Sequence, residues 1–123
     1  MKQTILLLTM AVAITSCGGN DTKESPAKAK TEQAMSPEAE KGLDLIAKSD
    51  CLGCHQVADK MTGPAYMEVA KKYAGQTGIE DTLAQRIIKG SVGHWGSIPM
   101  TPHSTLSDED AKAMVTYILT LNQ

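Results

Sequence analysis

The sequence predicts an all-α domain of about four helices over residues 36–123. Three observations support this fold class. Apolar residues recur at helical spacing in four separate segments. Residues that commonly cap helix N-termini precede the first and the last of these segments. No segment has the alternating apolar and polar pattern that is typical of a half-buried strand.

The first helix is predicted to begin after Ser36, which can act as its N-cap, and Pro37 suits the first helical position. Glu38 and Glu40 favour the positive end of the helix dipole. The helix should end near residues 49–50, directly before a motif that contains two cysteines. Its inward face is predicted to consist of Ala39, Leu43, Ile46 and Ala47.

Two shorter helices are predicted in the middle of the domain, over about residues 65–73 and 81–89. Gly75 and Gly90 follow these segments, and glycine is the usual residue just beyond a helix C-terminus. The inward faces are predicted to contain Val69, Ala70 and Tyr73 in the second helix and Leu83, Ile87 and Ile88 in the third.

The last helix has the clearest start signal of the four. Ser107 is the predicted N-cap, Asp110 lies three residues later, and acidic residues fill the first turn. The apolar residues Met114, Val115, Ile118 and Leu119 then repeat at helical spacing.

The N-terminal segment is interpreted as a targeting signal that precedes the fold. Residues 1–16 contain Lys2 and then an apolar run, 5–14, that is too short to span a bilayer as a mature helix. Residues 14–17, Ile-Thr-Ser-Cys, resemble a bacterial lipobox, in which cleavage leaves Cys17 as a lipid-modified first residue. The alternative is an ordinary signal peptide with an unrelated cysteine nearby. Residues 17–35 have no apolar period and are predicted to form a flexible tether.

Composition limits the classes of function that the chain can have. Without residues 1–16, eleven basic residues face fourteen acidic ones, so the net charge is −3. This charge argues against nucleic-acid partners, which require a basic surface. The chain has no Phe and only 3% aromatic residues. A domain this small therefore has a marginal hydrophobic core unless a large bound apolar group adds to it.

The segment Cys51-Leu52-Gly53-Cys54-His55 matches the attachment site of c-type haem. The two thiols can add to the vinyl groups of the porphyrin, and His55 can then bind the iron from one face. A thioether on the opposite face would complete six-coordinate iron. A thioredoxin-like dithiol would need a βαβ pattern, and a structural zinc site would need a second pair of ligands, so both are disfavoured.

Further segments, in the same order and spacing, make the chain resemble the short bacterial class I cytochromes c, the five-fifty-one and five-fifty-two group. The resemblance covers about residues 36–121. It implies a class I cytochrome c fold of about four helices wrapped around one covalently attached haem c. The segments that carry it, besides the cysteine motif, are 61–66 (MTGPAY), 83–87 (LAQRI), 90–96 (GSVGHWG), 99–102 (PMTP) and 106–108 (LSD).

The resemblance implies that His55 and Met100 are the two axial ligands of the iron. In the family, a proline carbonyl accepts the hydrogen bond of the other ring nitrogen, and Pro64 matches that proline. The position of Met100 agrees with its role, because it lies between Pro99 and Pro102 in a stiffened loop.

The other methionines are less suitable as ligands. They lie in the N-terminal segment or the tether, too close to His55 along the chain, or in helices. Met67 and Met114 are in the last group, and we expect them to fill the core, which is the commoner role of methionine.

The glycine-rich segment 90–96 is predicted to bring its backbone close to the haem edge. By resemblance, Trp95 would donate its indole N–H to a haem propionate, and Arg86 would pair with a propionate. The alternatives are a packed tryptophan and a surface arginine. His94 and His103 are expected to be exposed to solvent and not to act as ligands.

These features predict an electron carrier and not an enzyme, because iron without a free coordination position does not bind substrates. The alternative is a haem enzyme or gas sensor with a labile distal methionine. The expected partners are redox donors and acceptors, such as respiratory complexes, and a membrane through the lipid on Cys17. We expect a monomer anchored on the periplasmic side, with a soluble periplasmic protein as the alternative.

Overall fold

The computed structural model describes residues 34–122, which form four α-helices and one short 3-10 helix. Within this range, the only pairing of extended backbone is a single antiparallel bridge between Ser91 and Met100. The all-α prediction is therefore confirmed. The predicted signal peptide and Cys17 lie outside the described residues. The helices are α1 (Pro37–Lys48), α2 (Tyr66–Tyr73), α3 (Ile79–Lys89) and α4 (Asp108–Thr120), and the 3-10 helix spans Asp50–Gly53.

The two long helices begin at the serines that the sequence predicts as caps. The Ser36 hydroxyl accepts a hydrogen bond from the Ala39 N–H at 3.2 Å, and the Ser107 hydroxyl accepts one from the Asp110 N–H at 3.0 Å. Acidic residues occupy the first turn of both helices, where they interact favourably with the positive end of the helix dipole. The start of α1 and of α4 is thus determined locally.

Helices α1 and α4 cross at close range because a glycine lies at the crossing point. A Cβ atom built on Gly42 would overlap the backbone oxygen of Ala113, so no side chain fits between the two helices there. This crossing places the middle of α1 beside the middle of α4, and the 3-10 helix follows the end of α1.

The predicted inward face of α1 is partly wrong. Ala39 and Ile46 are buried, but Leu43 is 38% exposed and Ala47 is exposed as well. The close approach at Gly42 turns the helix so that the glycine, and not Leu43, meets α4. The prediction that Met67 fills the core is also wrong, because its side chain lies on the outer face of α2 and is 38% exposed.

The helices enclose two adjoining apolar clusters, and α4 contributes to both. The residues predicted to face inward in α2, α3 and α4 are confirmed as buried or half-buried. The clusters leave one side of the domain open, where the loops before α2 and α4 form a cleft. The first cluster contains Ala39, Ile46, Tyr66, Met114, Tyr117 and Ile118, and the second contains Tyr73, Leu83, Ala84, Ala111 and Val115.

Candidate functional site

All the predicted cofactor residues within the described range line one cleft, which encloses about 200 Å³. Most of the polar groups in the lining come from the 3-10 helix and from the loops before α2 and α4, and Arg86 comes from α3, whereas the walls are mainly aliphatic. An apolar lining of this kind, with a few polar groups at defined positions, is typical of a site that binds and orients an apolar group. The predicted residues in the lining are Cys51, Cys54, His55, Pro64, Arg86, Trp95 and Met100, and the aliphatic walls include Ile46, Val69, Leu83, Ile87, Val115 and Ile118.

The 3-10 helix positions the two cysteines at one edge of the cleft. The backbone N–H groups of Cys54 and His55 both donate to the Cys51 carbonyl, at 3.1 and 3.0 Å, so the motif forms one tight turn. Cys51 is half-buried and Cys54 is exposed. Burial raises the pKa of the Cys51 thiol, and the neighbouring Asp50 carboxylate raises it further. The turn brings both sulfur atoms and the imidazole to the same cavity.

His55 is oriented by a hydrogen bond between its Nδ1 atom and the carbonyl oxygen of Pro64, at 2.8 Å. Because a carbonyl oxygen only accepts, Nδ1 must carry the proton. This leaves Nε2 as the ring nitrogen with a lone pair, the state that a metal ligand requires. Pro64 is buried, and the Gly63 N–H donates to the Cys54 carbonyl at 2.8 Å, which holds the carbonyl of Pro64 in place.

Two further residues, Tyr66 and Gly63, contact the His55 ring, and no role is predicted for either from the sequence. The rings of Tyr66 and His55 are stacked, with centroids 5.5 Å apart and planes 14° from parallel. A Cβ atom on Gly63 would overlap Cε1 of the imidazole and lie 2.7 and 2.8 Å from its two nitrogens, so the glycine backbone lies against a face of the ring. Both residues belong to segment 61–66, but only their position beside His55 in space reveals the contact.

Met100 lies on the other side of the cleft and is held through its backbone. Its N–H donates to the Ser91 carbonyl at 2.8 Å, and its carbonyl accepts from the Ser91 N–H at 3.4 Å. Gly90 makes this pairing possible, since a Cβ atom there would lie 2.6 Å from the Met100 oxygen. The φ of +75° and ψ of 170° at Gly90 are also available essentially only to glycine.

His103, which was expected to be exposed, is instead half-buried. Its side chain is 21% exposed, and Nε2 lies 3.2 Å from Oδ1 of Asp50 in the 3-10 helix. Its Nδ1 atom is buried and has no hydrogen-bond partner among the described residues. The backbone N–H donates to the Ile87 carbonyl at 3.0 Å. His103 thus connects the loop that follows Met100 to α3 and to the edge of the cleft that carries the cysteines.

Trp95 is half-buried and fixed by α2. The Lys72 ammonium lies 4.1 Å from the centroid of the indole and donates to the His94 carbonyl at 2.8 Å. The Tyr73 ring meets the indole edge-on, with centroids 6.5 Å apart and planes at 75°. Arg86 also lines the cleft, and its Nη1 atom donates to the Tyr73 hydroxyl at 2.7 Å. Within residues 34–122 this is the one hydrogen bond of the guanidinium, and its other donors can bind an anionic group.

Comparison with known proteins shows which family the chain belongs to. The family model described as cytochrome c matches residues 39–122. The chain belongs to the cytochrome c family. Similar proteins include cytochrome c-551 of Allochromatium vinosum, 42% identical over 74% of this chain and 97% of that protein. Cytochrome c-552 of Nitrosomonas europaea is 47% identical over 68% of this chain and 81% of that protein.

A solved structure of the same kind supports the assignment. The crystal structure of wild-type Nitrosomonas europaea cytochrome c552 aligns with a TM-score of 0.62 and 48% identity, over 65% of this chain and 99% of that chain. The protein is accordingly a monohaem electron-transfer cytochrome with covalently attached haem c, and not an enzyme. It exchanges electrons with redox partners.

The residues of the cleft fit a covalently attached haem. The lining contains two thiols, an imidazole whose Nδ1 is occupied by a hydrogen bond to a carbonyl, and the thioether of Met100. Aliphatic side chains on α1, α3 and α4 suit the faces of a porphyrin.

No helix within residues 34–122 is long and apolar enough to cross a membrane.

Proposed function

We propose that Cys51 and Cys54 form the two thioether bonds to haem and that His55 and Met100 are the axial ligands of its iron. Trp95 and Arg86 donate hydrogen bonds to the propionates. The observation that carries this proposal is the 2.8 Å contact between His55 Nδ1 and the Pro64 carbonyl, because it occupies Nδ1 and leaves Nε2 free to bind a metal. The same cavity also contains Met100 and both thiols.

Haem bound in this way supplies one iron atom that accepts and releases a single electron. The protein contributes two ligands that remain bound in both oxidation states, so little reorganisation accompanies electron transfer. A thioether ligand favours the ferrous state and raises the reduction potential relative to two histidines. The aliphatic walls would limit the access of water to the iron of a bound haem, and a dry environment likewise favours the state of lower charge.

The edge of the cleft at the cysteine motif is where the proposed redox donors and acceptors dock. Cys54 is exposed there, and Leu52 is 46% exposed beside it. A haem bonded to these cysteines would bring its edge to the surface at this point. Electron-transfer partners such as respiratory complexes would then need only a small, transient interface with a monomer.

We also propose that the cytochrome is a lipoprotein on the extracytoplasmic, periplasmic side of the membrane. The support is the sequence of residues 14–17, which ends in Cys17 directly after an apolar signal-like run. Residues 17–35 would then act as a tether that keeps the haem domain near membrane partners. A soluble periplasmic protein is the alternative.

The ligand assignment is tested by Met100→Ala in the haem-loaded protein, with Met67→Ala as the matched control. Met67 lies on the outer face of α2 and outside the cleft. We expect M100A to lose the sulfur-to-iron absorption band and its reduced form to bind carbon monoxide. M67A should keep the band and a closed iron. Retention of the band in M100A would contradict the assignment.

The anchor is tested by intact-mass spectrometry of the protein purified from the membrane fraction. We expect the mass of residues 17–123 plus one haem and acyl chains, and a Cys17→Ser variant without the acyl mass. A wild-type protein that carries haem but no acyl chains would reject the anchor and leave the haem assignment intact.

A further inference from the structure

Tyr66 is a buried aromatic residue that the proposed function does not use. It is the first residue of α2, and its side chain is 4% exposed. Its ring lies 5.5 Å from the His55 ring and within 14° of parallel, which is the geometry of an offset aromatic stack. Among residues 34–122, Tyr66 is the aromatic residue whose ring stacks on His55, the proposed axial ligand.

A single hydrogen bond does not define the plane of the imidazole. The contact between Nδ1 and the Pro64 carbonyl sets the position of one ring atom, but the ring can still turn about the line that joins the two atoms. Contacts on the ring faces are needed to stop this rotation. Gly63 supplies one of them through its backbone, and Tyr66 supplies the other through its ring.

Tyr66 is itself rigidly placed. It belongs to the apolar cluster between α1 and α4, which also contains Met114 and Tyr117 of α4. Its backbone N–H donates to the Gln56 carbonyl at 2.9 Å, which ties the start of α2 to the residue directly after His55. Close packing therefore connects the orientation of the His55 ring to the core of the domain.

We propose that Tyr66 is a positioning residue that sets the plane of the His55 imidazole about its hydrogen bond to Pro64. This inference rests on the proposed role of His55 as an axial ligand. The plane of an axial imidazole determines which iron d orbital interacts with the π orbitals of the ring. Through this plane Tyr66 would influence how unpaired electron density is distributed over the ferric haem, without touching the iron.

The test compares Tyr66→Phe, Tyr66→Met and Tyr117→Met in the haem-loaded protein. Phe keeps the stacked ring, whereas Met fills the space without one. Tyr117 lies in the same apolar cluster and is 9% exposed, so Y117M reports the effect of losing a buried tyrosine ring elsewhere. The measurements are the haem methyl shifts of the ferric protein by NMR and its electron paramagnetic resonance spectrum.

We expect Y66F and Y117M to retain the wild-type order and spread of the four haem methyl resonances. Y66M should change the order or the spread, together with the anisotropy of the ferric signal, while the sulfur-to-iron band remains. A wild-type pattern in Y66M, or an equal change in Y117M, would overturn the proposal.

Two controls separate this inference from the assignment on which it depends. If the wild-type ferric protein shows no hyperfine-shifted resonances from the His55 ring, the assignment of the axial ligand is wrong. If those resonances are present but Y66M does not alter the haem methyl pattern, only the role of Tyr66 is wrong. If Y66M does not fold, nuclear Overhauser contacts between the two rings in the wild-type protein decide, and their absence rejects the stack.

Discussion

The two sides of the cleft hold their proposed iron ligands in different ways. On one side, the His55 side chain is fixed directly, by the carbonyl of Pro64, the backbone of Gly63 and the ring of Tyr66. On the other side, the hydrogen bonds described for Met100 are made by its backbone, which pairs with Ser91. The histidine side is organised at the side chain, whereas the methionine side is organised at the main chain.

This difference teaches where each ligand is vulnerable. The orientation of His55 depends on close contacts within one short segment, so a small change of volume there should disturb it. The position of Met100 depends on how two loops pair, and these loops are tied to α2 by Lys72 and to the 3-10 helix by His103. The thioether, with its three flexible bonds, can then adapt to the iron.

Gly90→Ala should have the largest effect on stability, because it disrupts the backbone pairing of Met100 with Ser91 on the methionine side. The new Cβ atom would lie 2.6 Å from the Met100 oxygen, at a φ of +75°. We expect a loss of about 3 kcal/mol or more, from backbone strain and overpacking combined, in urea unfolding of the haem-loaded protein. The sulfur-to-iron band should weaken at the same time.

The matched control for this variant is Gly93→Ala. Gly93 also has a positive φ, of +85°, but a Cβ atom there meets nothing within 4 Å. G93A should therefore show the strain without the clash and keep the band. If the two variants behave alike, the close approach of Gly90 to Met100 is not what positions the ligand.

Gly63→Ala tests the histidine side and should have the next largest effect. Its methyl group would overlap the imidazole, so either the ring or the loop must move. We expect a loss of about 1–3 kcal/mol in the same unfolding measurement, together with altered haem methyl shifts. Gly53→Ala is the control, since a Cβ atom at Gly53 has no neighbour within 4 Å and its φ is ordinary. Equal stability of the two variants would contradict the tight contact.

Lys72→Met should have a smaller effect on the methionine side. It removes the ammonium from the face of Trp95 and the hydrogen bond to the His94 carbonyl. We expect a loss of about 1 kcal/mol. Amide exchange at Gly93, whose N–H donates to the Gly96 carbonyl at 3.0 Å, should become faster. Lys71→Met, at the exposed neighbouring position, should leave this exchange unchanged, and a matching acceleration there would reject the role of Lys72.

Asp50→Asn should have the smallest effect. It weakens the link between the 3-10 helix and His103, but the Asp50 side chain is 86% exposed. Exposed pairs contribute about 0–1 kcal/mol, so the unfolding midpoint should move only slightly. Asp44→Asn breaks a comparable exposed pair with Lys48 inside α1. D50N should differ from D44N only in faster amide exchange at His103. If D50N lost as much free energy of unfolding as G90A, the pair of Asp50 and His103 would contribute far more than an exposed pair.

Local signals account for how well the elements could be predicted. The capping serines and the glycines after α2 and α3 act within a few residues, so the order and type of the helices followed from the sequence. The face of α1 did not, because it depends on how closely Gly42 approaches Ala113 on a distant helix. The half-buried position of His103 was missed for the same reason, since its neighbours Asp50 and Ile87 come from other segments.

The sequence by itself determined which chemical groups the cleft contains. The spacing of Cys51, Cys54 and His55 and the position of Met100 between two prolines are properties of the chain. Only the tertiary structure decided how those groups are oriented. In the folded protein Tyr66 stacks on the imidazole, the backbone of Gly63 contacts the same ring, and Met100 pairs with Ser91. The physical reason is that chemistry is carried by residue types, which the sequence states, whereas orientation arises from close packing that exists only once the chain has folded.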